Sequence, residues 1–153
     1  MTADELFRLS NSTALAGWLL LVATGWSARA SQLVSSLITG LLVPALLAGF
    51  YLVLIVTHWG GHKGGFSSLS GVMLLFTDRW LVLAGWVHYL AFDLFIGSWQ
   101  VRDARRNRVP FLVVLPCLLL TFLFGPIGLL LYLLLAGLIS RGKAWPGHPA
   151  VVT

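Results

Sequence analysis

Long apolar blocks dominate this sequence. LAGWLLLVATGW is followed by LLVPALLAGFYLVLIV, then by WLVLAGWVHYLAFDLFIGSW and finally by FLVVLPCLLLTFLFGPIGLLLYLLLAGLI. A helix of about 20 apolar residues matches the ~30 Å hydrocarbon core of a bilayer. Blocks of that length cannot all be hidden inside a domain of 153 residues. Composition agrees: 58% of residues are hydrophobic and 10% charged, with mean hydropathy +0.91. A disordered chain, a nucleic-acid-binding domain and an ordinary cytosolic enzyme are excluded. The expected fold is all-α, a polytopic integral membrane protein built as a four-transmembrane-helix bundle. It forms one membrane domain over 1–153, with spans near 6–26, 33–57, 80–101 and 110–139.

The net charge of +5 does not signal nucleic acid. The basic residues stand between the apolar blocks, as membrane-flanking charges do: Arg29, Lys63, Arg79, the cluster at 102–108, Arg141 and Lys143. With four spans both termini share a side with the 58–78 connection. Five basic residues then fall on each side, and charge alone fixes no orientation. No cleavable signal peptide is expected, because Asp4 and Glu5 precede Arg8. Cys117, the single cysteine, lies in an apolar block and reads as a packing residue. Pro44, Pro116 and Pro126 each free a carbonyl four residues back, at Gly40, Leu112 and Phe122. In lipid such carbonyls must face other helices or a cavity.

Chemistry concentrates in the third span, which holds two ionisable residues, His88 and Asp93. An ionisable group at that depth is a functional-site hypothesis. Five residues along a helix leave them about 140° apart in azimuth and ~7.5 Å apart along the axis. They cannot touch, so each must find its partner on a different neighbour. Tyr89 and Asp93, at i and i+4, can approach. By depth, the neighbours expected for Asp93 are the Leu112 carbonyl, the Cys117 thiol and the Thr121 hydroxyl. Asn11 or Thr13 is expected beside His88. The deep aromatics Trp86, Tyr89, Phe92 and Phe95 suit a long, flat, apolar ligand, or lipid and core packing. His58-x-x-x-His62 has metal-ligand spacing, but the glycines between them and the lack of further ligands argue against a metal. GGHKGG lacks the ending of a phosphate-binding loop.

Three stretches carry a resemblance: FSSLSGV (66–72), LAGWVHYLAFDLFIG (83–97) and TFLFGPIGLLLY (121–132). They resemble the abscisic-acid-deficient-4-like family of small membrane proteins, over roughly residues 6–138. The resemblance implies a four-span helical protein. Plant members are required for making neoxanthin from violaxanthin in plastid membranes. This chain begins almost directly at its first span, without a transit peptide, and is expected to be a bacterial relative in the inner membrane. If the chemistry carries over, it is an epoxide-to-allene isomerisation that needs no cofactor. One group protonates the opening epoxide oxygen, and another takes a proton from the polyene. Asp93 is then the acid and His88 the base, with Tyr89 supporting or replacing the acid. Trp86, Phe92, Phe95, Asn11 and Thr121 are the candidate ligand contacts.

Three readings stand side by side. The chain is an enzyme acting on a carotenoid or similar isoprenoid, a non-catalytic pigment- or lipid-binding protein that serves a partner enzyme, or a small proton-coupled transporter. Membrane lipids and an isoprenoid are the expected partners, nucleic acid is not, and a homo-oligomer is left open.

Overall fold

The computed structural model describes residues 1–60 and 64–140. Among these the regular structure is all helical, with no strand. The elements are α1 (Ala3–Thr24), α2 (Ala28–Leu33), a π-helical segment (Val34–Leu42), α3 (Val43–His58), α4 (Leu69–Leu75), α5 (Arg79–Arg106), α6 (Phe111–Phe124) and α7 (Pro126–Ser140). Three rods are long and apolar enough to cross a membrane: α1, the continuous α2–π–α3 run (Ala28–His58), and α5.

Local chemistry sets the helix ends. Thr2 and Glu5 close a capping box on α1. Asp78 caps α5 by accepting from the amides of Trp80 and Leu81. The π-helical turns end immediately before Pro44, which has no N–H to donate to Gly40. Within them the Thr39 hydroxyl donates to the Val34 carbonyl.

The fourth span expected over 110–139 is not one helix. α6 has 14 residues and α7 has 15, so each is ~21 Å long, short of the ~30 Å hydrocarbon layer. They are not stacked end to end. Gly128 on α7 lies so close to α6 that a Cβ there would collide with the backbone of Thr121 and Cys117. The Tyr132 hydroxyl donates to Asp103 Oδ2 at 2.6 Å, and Ala136 joins Ala104 and Val109 in one core cluster. The chain therefore reverses at Gly125-Pro126, and α7 returns to the side from which α6 set out. Pro126 opens a new helix instead of kinking an old one, a position where its missing N–H is no loss.

The molecule has two packed halves along α5. One cluster joins Leu47 and Leu54 of α3 to Leu83, Ala84, Val87 and Leu90 of α5, near the start of α1. The other joins Trp18 and Leu21 of α1 to Leu94, Val101 and the α6–α7 hairpin. Polar clamps tie the second half. Ser98 donates to Thr39 at 2.7 Å and Gln100 to Thr121 at 3.0 Å. Arg102 donates to the Ser35 carbonyl. Arg105 donates to Ser31 Oγ and to the carbonyls of Gly25, at the end of α1, and Ser27, the cap of α2. Interhelical hydrogen bonds of this kind contribute about 0.6 kcal/mol each in a membrane.

The described arginines gather at one end of the molecule. α1 begins beside the start of α5, where Ala3, Asp4, Thr77 and Arg79 line one cavity. At the opposite end Gly25, Arg105 and Phe111 come together. Lys63, Arg141 and Lys143 lie outside the described residues. The other basic residues divide two against five: Arg8 and Arg79 at the first end, Arg29, Arg102, Arg105, Arg106 and Arg108 at the second. By the positive-inside rule the arginine-rich end is expected to face the cytoplasm. A reporter that matures only in the cytoplasm is expected to be active at the C-terminal end and inactive at the N-terminal end. Activity at both ends or at neither, as an even number of crossings requires, overturns the hairpin.

Candidate functional site

Asp93 stands 14 residues from the start of α5 and 13 from its end, at the level where the hairpin turns. The turn rests on its side chain. Gly125 has φ +46°, and a Cβ on it would come within 2.7 Å of Asp93 Oδ1. Only glycine meets both demands, the left-handed backbone and the close approach. Tyr89, one turn back, brings its hydroxyl beside the same carboxyl. Even so, Asp93 Oδ2 is buried with no hydrogen-bond partner among the described residues. A buried polar atom in that condition is costly and rare, and singles the carboxyl out for a functional role.

The neighbours expected for Asp93 are elsewhere. Cys117 Sγ donates to the Val113 carbonyl at 3.4 Å. Thr121, also a candidate ligand contact, is fully buried and donates to the Cys117 carbonyl while accepting from Gln100. Both serve the hairpin's own packing. The Asp93 carboxyl meets the turn because α6 ends there, a depth that a single continuous span would have carried past it.

His88 lies on another face of α5, as the 140° separation requires. It is exposed and stacks on Phe92, with ring centroids 4.6 Å apart, and meets Tyr51 of α3 at 5.5 Å. Asn11, expected as its partner, instead accepts from Trp86 Nε1 at 3.1 Å. Phe92 and Phe95 point outward on the His88 side. His58 stacks on Trp80, and His62 lies outside the described residues.

Because the hairpin reaches only to Asp93, the first half of α5 lacks its cover. The face left open carries a row of rings. Phe7 lies 5.7 Å from Trp86, and Trp86 lies 5.5 Å from Tyr89, which adjoins Asp93. Behind the carboxyl, Trp18 packs on Gly97 and meets Phe122 edge-on at 5.6 Å. Those two rings also wall a separate groove of about 500 Å³ between α1 and α6, lined by Leu15, Leu19 and Pro116 and almost devoid of polar surface. The geometry thus supplies a buried carboxyl with a phenol beside it, and two apolar surfaces that border lipid.

Sequence reasoning missed the Gln100–Thr121 and Asp103–Tyr132 pairs and the part played by Gly125. The first pair was open to the rule applied to Asp93, since Gln100 is also polar within an apolar helix.

The family model described as ABA DEFICIENT 4-like (ABA4-like) matches residues 5–132, most of the chain, and the chain belongs to this family. The matched region includes Tyr89, Asp93 and Gly125. No curated protein and no solved structure matches the chain. Gly125→Ala is expected to cost about 1–3 kcal/mol through backbone strain and the clash with Asp93, measured as a lower unfolding temperature in detergent. Gly137→Ala, inside α7 where a Cβ meets nothing within 4 Å, is the control and is expected to leave that temperature unchanged or slightly raised. Equal stability of the two variants would show that the turn does not rest on the carboxyl.

Proposed function

We propose that this ABA4-like membrane protein acts on a carotenoid or a similar isoprenoid, isomerising an epoxide without a cofactor. The observation that carries the reading is Asp93, a mid-membrane carboxyl with an unpartnered oxygen at the foot of a row of rings open to lipid. Family membership is consistent with a carotenoid-related role.

The chemistry asks for an acid and a base. A protonated Asp93 gives its proton to the epoxide oxygen as the C–O bond breaks. A hydrogen must then leave the neighbouring polyene carbon as the allene forms. His88 was the base expected from the sequence, but it stands on another face of α5. The Asp93 carboxylate just formed is the nearer base. Taking that proton returns the residue to its starting state, and an isomerisation needs no net proton. Tyr89 supports the acid by its position beside the carboxyl, and no redox step arises.

A second reading has its own observation. The 500 Å³ groove between α1 and α6 contains no chemical group, which suits a protein that holds pigment for a partner enzyme. Protein reconstituted with violaxanthin and analysed by chromatography separates the two. Conversion by the wild type, with at least a hundredfold loss in Asp93→Asn and pigment still bound, supports the isomerase. Full turnover by Asp93→Asn removes the acid role. Bound but unaltered pigment in the wild type favours the accessory reading.

A further inference from the structure

The row of rings does not end in lipid. At the end of the molecule where α1 and α5 begin, Phe7 and Trp86 form one wall of a cavity of about 380 Å³, whose mouth carries Asp4, Thr77 and Arg79. Asp4 and Arg79 are both exposed there. Trp86 is common to the cavity and the row, and its Nε1–H bond to Asn11 fixes the indole between α1 and α5. From Arg79 to Asp93 is fourteen residues, about 21 Å along the helix. Arg79, Trp86, Tyr89 and Asp93 thus share one stripe of α5, from a polar mouth at one end to a buried carboxyl at mid-depth.

We infer that the Asp4–Arg79 cavity is the subsite for the far, hydroxylated end of an elongated polyene whose other end lies at Asp93. This rests on the reading given under Proposed function and adds to it a subsite and an orientation. Opposite charges at one mouth select the end group. A hydroxyl donates to the Asp4 carboxylate while accepting from the Arg79 guanidinium. A phosphate or carboxylate head would satisfy Arg79 and be repelled by Asp4. An end group without oxygen would leave both charges unused. The rings between are the surface a stiff, flat chain requires, and a flexible acyl chain gains less from them.

The test needs no turnover. Protein in phosphatidylcholine vesicles is offered zeaxanthin or β-carotene, two polyenes of the same length that differ in the ring hydroxyls. Retained pigment is measured after the protein is re-isolated. The wild type is expected to hold zeaxanthin about tenfold more tightly, the effect of 1.4 kcal/mol. Arg79→Gln and Asp4→Asn should each bring the ratio close to one. Trp86→Leu should weaken both pigments and leave the ratio unchanged. Arg29→Gln, an exposed change at the opposite end, should alter neither. Equal retention of the two pigments by the wild type overturns this subsite while leaving a polyene-binding protein. Retention of neither overturns the subsite together with the isoprenoid reading beneath it. A preference for zeaxanthin that survives both Arg79→Gln and Asp4→Asn places the hydroxyl elsewhere and also overturns the subsite.

Discussion

A polypeptide that turns back inside hydrocarbon must hide its turn, because no water is there to satisfy the exposed amides and carbonyls. In this protein the hiding place is the α5 surface at Asp93. Gly125, with its left-handed backbone, fits directly over the carboxyl. Much else follows from that contact. It sets the depth at which α6 stops and α7 starts. It leaves the first half of α5 uncovered, so that Phe7, Trp86 and Tyr89 border lipid. It returns the chain to the arginine-rich end, beside Asp103 and Ala104 of α5.

The three long helices were legible because hydropathy and length decide them. The hairpin was not. A run of thirty apolar residues looks alike whether it crosses the membrane or doubles back, since lipid accepts either outer surface. The deciding information lies in two small residues. Gly125 permits the reversal, and Gly128 lets α7 press against α6. Both were visible only as an interruption, and a glycine-proline pair in a membrane segment more often bends a helix than reverses it. The tie in the charge count had the same origin, because it assumed an even number of crossings.

The site divides along a similar line. The separation of His88 from Asp93 follows from the turn per residue of an ideal helix, and α5 keeps to it. The surroundings of each group depended on elements whose placement no periodicity encodes. Asn11 was assigned to His88 by depth alone, yet the Trp86 indole reaches it first. Thr121 was assigned to Asp93 on the assumption of a continuous fourth helix, and within the hairpin it faces Gln100 instead. Depth arguments of this kind hold for a straight bundle and fail where a helix stops halfway.

The two separate core clusters bear on how the protein is made. Synthesis delivers α1, the α2–π–α3 rod and α5 before the hairpin exists, and the cluster nearest the start of α1 needs only these. The second cluster draws on Trp18, Leu94 and Val101 but closes only with Val114, Leu118 and Tyr132. Until α6 and α7 emerge, the Asp93 carboxyl has no lid and Arg102 and Arg105 brace an unfinished wall. Because the chain is made from its N-terminus, the 29 residues of α6 and α7 are the last of these helices to appear, and it is they that close over the acid.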